Sequence, residues 1–251
     1  MPGFHRNRGS HRAQDAPAPA CRRQGIRIMP RRLPEISASL MCADFTRLAE
    51  QLADLQAAGI GRLHLDFVDG HFAPNIGLGT EIFALLAGHP DFRLESHLTL
   101  EAPERLLHLF TPHSTWVIFH PEATPEPVAC TEAIRLAGAR PGIALAPSTP
   151  VDICLPLLPQ IDLVDVLTVP PGFAGGTFDP QTLHKVERLR HEVDRRGLGV
   201  EIEVDGGVNS RTVPAMLQAG ADVLVGGSSG LFTGDSLRQQ ALALQALLKA
   251  D

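Results

Sequence analysis

His64, Asp66, His97 and Asp205 are side chains able to hold a divalent cation, and each stands at the end of a short apolar run. His64 and Asp66 are two apart, so on an extended strand they share a face and can aim at one point. His97 lies near the end of the run 92–98, and Asp205 closes the run 200–205 just before Gly206-Gly207. If these runs are parallel strands of one closed barrel, the four side chains converge at the rim where the strands end. Two imidazoles with two carboxylates suit Zn²⁺, Fe²⁺, Mn²⁺ or Co²⁺ better than Ca²⁺ or Mg²⁺, which favour all-oxygen cages. Any one of the 11 histidines, taken alone, reads more simply as a strand-end polar group satisfied by backbone or water. Four such residues placed together at strand ends favour the metal reading.

The elements that must position them follow from the changes of period beyond Leu33. Short runs rich in Ile, Val and Leu alternate with longer stretches of helical spacing, which argues for strand-helix repeats and a parallel sheet. Strands are expected over 35–39, 62–66, 92–98, 116–120, 142–146, 163–169, 200–205 and 223–226. Helices are expected over 45–58, 80–87, 103–110, 127–137, 151–158, 180–195, 210–219 and 236–249, with stripes such as Leu48, Leu52 and Leu55 laid on the sheet. Eight strands suit a closed (β/α)8 TIM barrel. A doubly wound open sheet competes, but no Gly-x-Gly-x-x-Gly follows the first strand.

Glycines after the last three strands are the second functional signal. Gly172-Phe173-Ala174-Gly175-Gly176, Gly206-Gly207 and Gly226-Gly227-Ser228-Ser229-Gly230 follow strands six, seven and eight. Glycine lets backbone N–H groups approach phosphate oxygens, and in such barrels phosphate sits at the loops after strands seven and eight against a short helix start. Turns use glycine in any case, so one pair alone says little; three clusters at adjacent strand ends point to phosphate.

Composition bounds the remaining choices. The 251 residues are 44% hydrophobic and 20% charged, enough for one sizeable core over 34–251. A net charge of -6 and a pI near 6.0 exclude a nucleic-acid footprint over the globular part. Cys21, Cys42, Cys130 and Cys154 form no close pairs, no apolar stretch reaches the length of a membrane span, and no signal core is present. The expectation is a cytoplasmic enzyme with no membrane partner. Residues 1–33 differ: Arg6, Arg8, Arg12, Arg22, Arg23, Arg27, Arg31 and Arg32 face a single acid, Asp15, and the segment reads as a disordered extension. An over-called start before Met29, a transit peptide and a tail for an anionic partner all remain open for it.

The segments Ile36 to Phe45, His64 to Asn75, His97-Leu98, Pro171 to Gly175 and Glu203 to Gly207 resemble the ribulose-phosphate 3-epimerase family, in order and across every strand. The most specific block is His64-Leu65-Asp66-Phe67-Val68-Asp69-Gly70-His71-Phe72-Ala73-Pro74-Asn75. The resemblance implies a (β/α)8 barrel of the ribulose-phosphate-binding type, a homo-oligomer built through outer helices, and inversion of C3 in a ketopentose 5-phosphate. It implies one divalent metal ion (Zn²⁺, Fe²⁺, Mn²⁺ or Co²⁺) on His64, Asp66, His97 and Asp205, with Asp66 and Asp205 doubling as base and acid, and no organic cofactor. It further implies that Ser39, His97, Gly172, Phe173, Ala174, Gly175, Gly206, Gly207, Gly227 and Ser228 contact the sugar phosphate. The chemistry asks for these types: a C3 proton is acidic only if charge on the neighbouring ketone is stabilised, and inversion needs one carboxyl group on each face.

The chain also departs from that pattern. Val68, Thr99 and Leu167 stand where methionines usually line the site, Ala146 replaces an asparagine, and Pro170 and Gly176 alter the phosphate loop. Met41-Cys42 and Ser229-Gly230-Leu231-Phe232 look more like the allulose-6-phosphate 3-epimerase branch, so a ketohexose 6-phosphate and a non-catalytic phosphosugar-binding role stand as alternatives. Asp69, His71 and Asn75 read as turn and capping residues. His120 reads equally as a substrate contact or a strand-end hydrogen bond, Phe173 as a substrate cover or simple packing, and Asp162 and Asp165 as solvating the start of strand six.

Overall fold

Strands form where branched aliphatic residues alternate with polar ones, and the computed structural model, which describes residues 33–234 and 236–249, contains eight of them among the described residues. They are β1 (Glu35–Ser39), β2 (Arg62–Val68), β3 (Arg93–Thr99), β4 (Trp116–Phe119), β5 (Arg140–Leu145), β6 (Leu163–Leu167), β7 (Glu201–Asp205) and β8 (Val223–Gly226). Each is hydrogen-bonded in parallel to the next, and β8 closes on β1 with Glu35 opposite Val223. This is the expected closed barrel. The Arg-rich extension read from the sequence lies, except for Leu33, outside the described residues.

Six α-helices cover the outside: α1 (Leu48–Ala57), α2 (Ile82–Leu86), α3 (Pro127–Leu136), α4 (Leu183–Arg196), α5 (Val213–Ala219) and α6 (Leu237–Leu247). Two expected helices are replaced by pairs of 3-10 turns, Pro103–Arg105 with Leu107–Leu109 and Val151–Ile153 with Leu158–Gln160. In the second, Pro156 and Pro159 lack the N–H groups a continuous helix needs and crowd the preceding turn. In the first, Leu106 at φ -116° and ψ -1° breaks the helical run.

The strand alternation sorts side chains between two environments. Leu63, Leu65 and Phe67 of β2, Val164 and Val166 of β6, and Ile202 and Val204 of β7 face outward and pack with Leu52, Leu55, Val186, Leu189 and Val193 of the helices in one continuous apolar shell. Each fully buried Leu or Val contributes about 1.5–3 kcal/mol to holding helices on the barrel. Inside the barrel a small apolar cluster of Trp116, Ile118, Ala144, Leu163 and Leu167 occupies one side. The other side is polar. Arg62 is fully buried there, pairs with Glu95, Glu201 (2.7 Å), Glu35 (2.9 Å) and Glu203 (3.4 Å), and lies 3.9 Å from the centre of the Trp116 ring.

This interior corrects one sequence expectation. Asp162 does sit at the outer start of β6, bound by Arg135 at 2.7 Å and Arg140 at 3.4 Å. Asp165 does not solvate that strand: it shares the inward face with Leu163 and Leu167, is fully buried, and neither of its oxygens has a hydrogen-bond partner among the described residues. Burial and the neighbouring Glu203 raise its carboxyl well above the usual range.

Candidate active site at the mouth of the barrel

The four sequence-selected ligands meet at the C-terminal end of the barrel, because β2, β3 and β7 present alternate residues inward and the pairing sets Asp66 opposite His97. His64 Nε2 lies 3.2 Å from His97 Nδ1, 3.3 Å from Asp66 Oδ1 and 3.9 Å from Asp205 Oδ2, and His97 Nδ1 lies 3.1 Å from Asp66 Oδ1. A tetrahedral ion with bonds of 2.0–2.2 Å has ligand–ligand edges of about 3.4 Å. The observed separations bracket that value, so the donor set fits such an ion in both chemistry and spacing. Ser39 Oγ donates to the second oxygen of Asp66 at 3.1 Å.

The two carboxylates experience different surroundings. Burial opposes ionisation of Asp66, but His64 and His97 beside it hold its carboxyl well below the usual range. Burial pushes Asp205 up, and the charge of Asp66 adds to the rise. Asp205 keeps 20% of its side chain open to the pocket, against 11% for Asp66. Burial also depresses the His97 imidazole, while at His64 the surrounding acids outweigh burial and raise it.

Both imidazoles are supported from behind. His64 Nδ1 lies 3.2 Å from Glu95 Oε2 and 3.3 Å from Glu203 Oε1. His97 Nε2 meets His120 Nε2 at 3.0 Å, and the His120 ring packs on Phe72 with centroids 4.7 Å apart. His120 is fully buried and therefore sits behind His97 rather than in the pocket. Burial would raise Glu95, but Arg62 and His64 hold it at about 2, whereas burial and the neighbouring Glu95 push Glu203 up to about 8. Sequence reasoning missed Arg62, Glu95 and Glu203 in this role. Counting two residues back from each ligand on its own strand finds all three.

A pocket opens directly above the four ligands. Ser39, Asp66, His97 and Asp205 form its base, while Gly172, Phe173, Ala174, Gly175, Gly206, Gly207, Gly227 and Ser228 line its walls. His64 lies beneath, fully buried. The loops after β6 and β8 come together there, since a side-chain carbon at Gly175 would stand 3.7 Å from Ser228 Oγ. Gly207 takes φ +63°, and a side chain on it would meet Phe178 at 2.7 Å. The helix start expected at the β8 loop is absent among the described residues: Leu231 and Phe232 donate back to the Gly227 carbonyl in a turn, and α6 begins only at Leu237. Of the three positions expected to carry methionine, only Leu167 lines the pocket. Val68 packs under the loop glycines Gly77 and Gly172, and Thr99 is fully buried. Asp69 caps its turn through His71 N and Phe72 N, while Asn75 Nδ2 donates to the Gly172 carbonyl at 2.6 Å, tying the β2 loop to the β6 loop. Phe173 is half exposed at the rim.

A family profile described as "Ribulose-phosphate 3 epimerase family" matches residues 35–232, which spans every strand of the barrel. The chain belongs to the ribulose-phosphate 3-epimerase family. It is 38% identical over 215 residues to the ribulose-phosphate 3-epimerase of Mycobacterium tuberculosis, covering 83% of this chain and 93% of that one. The Bacillus subtilis enzyme of the same name is 35% identical, covering 83% and 96%, and the Escherichia coli enzyme 33%, covering 77% and 87%. As a member of the ribulose-phosphate 3-epimerase family the protein is an isomerase of the epimerase class. Solved structures similar in fold include KGPDC from Streptococcus mutans in complex with a sugar phosphate (TM-score 0.66, 16% identity, 87% of this chain and 98% of that one). Another is 3-hexulose-6-phosphate synthase from Salmonella typhimurium (TM-score 0.62, 15% identity, 85% and 98%). No helix among the described residues is long and apolar enough to cross a membrane.

Proposed function

We propose that the protein interconverts D-ribulose 5-phosphate and D-xylulose 5-phosphate by inversion at C3, with Asp66 and Asp205 as the two proton-transfer groups. The observation that carries this reading is the convergence of His64, Asp66, His97 and Asp205 at the base of a pocket walled by glycine loops. These four residues would hold a divalent ion of the Zn²⁺, Fe²⁺, Mn²⁺ or Co²⁺ class, whose charge stabilises the negative charge that develops beside C3. The glycine loops after β6, β7 and β8 take the phosphate through backbone N–H groups, leaving the ketone end of the sugar toward the acids.

Inversion needs a base on one face of C3 and an acid on the other. Asp66, held low by the imidazoles, suits the base that removes the proton. Asp205, raised by burial and more open to the pocket, suits the acid that returns one to the opposite face. Two carboxyl groups whose surroundings drive their affinities for protons apart match this division of labour. Ser39, bonded to Asp66, orients that carboxylate toward the sugar. In the reverse direction the two acids exchange roles.

Asp205→Asn tests the assignment. The amide keeps the volume of the side chain but neither accepts nor returns a proton, so turnover falls by at least about 10²-fold. Solvent deuterium exchange at C3 separates the half-reactions: the variant still exchanges from the epimer whose proton faces Asp66. Wild-type turnover in that variant removes Asp205 from the reaction. Faster turnover of allulose 6-phosphate than ribulose 5-phosphate by the wild-type protein overturns the choice of sugar while leaving the C3 chemistry in place.

A further inference from the structure

We infer that Glu95, braced by Arg62 and Ser37, is a positioning residue for His64 that fixes which of its ring nitrogens faces the barrel mouth. This rests on the reading above in which His64, Asp66, His97 and Asp205 hold a cation. A neutral imidazole carries one N–H and one lone pair, and the hydrogen bond made by one nitrogen decides what the other can do.

His64 Nδ1 is 3.2 Å from Glu95 Oε2, and a carboxylate can only accept, so the hydrogen sits on Nδ1 and the lone pair on Nε2. Nε2 is the nitrogen that faces His97 Nδ1 and Asp66 at the mouth of the barrel. Glu203 Oε1 is nearly as close, at 3.3 Å, but it makes no aligned hydrogen bond to the ring, which leaves Glu95 as the acceptor.

Glu95 is itself fixed. Ser37 Oγ donates to the same Oε2 at 2.6 Å, and Arg62 Nε holds Oε1. Arg62 is in turn held by Glu201 at 2.7 Å and Glu35 at 2.9 Å. Every member of the chain Arg62–Glu95–His64 is fully buried. The arrangement differs at the other imidazole, where the far nitrogen of His97 meets the His120 ring and not a carboxylate. His64 thus has an anionic support and His97 an imidazole one, which makes His64 the stronger donor of the two.

The test uses the full chain stripped of metal. Zn²⁺ affinity is read by competition with a chromophoric chelator, and zinc content by mass spectrometry. Wild type takes one ion per chain. Glu95→Gln binds it about 10–100-fold more weakly, the usual cost of losing such a support. Glu95→Asp, which restores the charge with a shorter reach, recovers part of the loss. Ser37→Ala leaves the Arg62 pair intact and removes only the bond that aims Oε2; it lowers affinity by up to about fivefold, the worth of one hydrogen bond, and keeps the test open if Glu95→Gln does not fold. Long-range ¹⁵N spectra of the zinc-loaded wild type show His64 protonated on Nδ1. A purely structural role would lower the melting temperature of the metal-free variants and leave their zinc affinity unchanged.

Zinc affinity equal to wild type in the folded variants overturns the inference, as does a hydrogen on Nε2. Two zinc ions per chain overturns it too, by putting a cation where the Nδ1–H bond should be. Wild-type protein that takes up none of Zn²⁺, Fe²⁺, Mn²⁺ or Co²⁺ overturns the cation reading of the site first, and the role of Glu95 falls with it.

Discussion

Replacing Arg62 with methionine takes away the guanidinium that the buried acids share while keeping an unbranched side chain in its place. Arg62 touches Glu35, Glu95, Glu201 and Glu203, and is itself fully buried. Glu95 shows the size of the effect: with Arg62 and His64 present its carboxyl is held at about 2 against an ordinary 4.5, a difference worth about 3 kcal/mol. A depressed carboxylate contributes its stability in full above its unfolded value and loses it as pH falls toward the folded one. Arg62→Met therefore costs about 3–5 kcal/mol at pH 7.5, the usual result of stranding buried acids, and the cost narrows below about pH 5 as Glu95 takes up a proton instead. The single tryptophan, Trp116, stacks on Arg62 and reports the transition by fluorescence. In metal-free protein the urea midpoint falls by about 1–2 M at pH 7.5 and by clearly less at pH 4.5. A shift under about 0.3 M at pH 7.5, or equal shifts at both pH values, refutes the view that Arg62 holds this layer together.

Other outcomes follow from single contacts. Gly207→Ala places a side chain at φ +63° and 2.7 Å from Phe178, and lowers stability by at least about 1–2 kcal/mol, measured by calorimetry. Asn75→Ala removes the bond to the Gly172 carbonyl and loosens the β6 loop; KM rises up to about fivefold with kcat little changed in steady-state assays. Dialysis against a strong chelator abolishes turnover and added Zn²⁺, Fe²⁺, Mn²⁺ or Co²⁺ restores it, and an undiminished rate in metal-free protein removes the ion from the proposed chemistry.

The ligand set was legible in the sequence because His64 and Asp66 share a strand face and because Gly206-Gly207 marks where β7 must end. β1 and β8 begin and end where their apolar runs do. The interior below the ligands was not legible, and the reason is physical. Arg62-Leu63-His64-Leu65-Asp66-Phe67 has an apolar face and a polar one, the same pattern as a strand with one side in water. Nothing in that pattern says whether the polar face meets solvent or a closed lumen. Asp165 was placed at the surface for the same reason, although Leu163 and Leu167 on its face end inside the barrel. The two missing helices were hidden differently: 103–110 and 151–158 carry helix-like apolar spacing, and only backbone breaks at Leu106 and around Pro156 and Pro159 undo it.

A lumen lined with Arg62, Glu95, Asp165, Glu201 and Glu203 also changes how the molecule responds to temperature. Exposing apolar surface raises heat capacity and exposing polar surface lowers it, by about 0.45 and 0.26 cal/mol/K per Å² respectively. The shell of leucines and valines outside the strands supplies the first contribution, and the charged lumen subtracts the second. Unfolding therefore takes up less heat capacity per residue than in a barrel filled with aliphatic side chains. The stability curve is correspondingly broader, with its decline spread over a wider span of temperature on both the cold and the hot side.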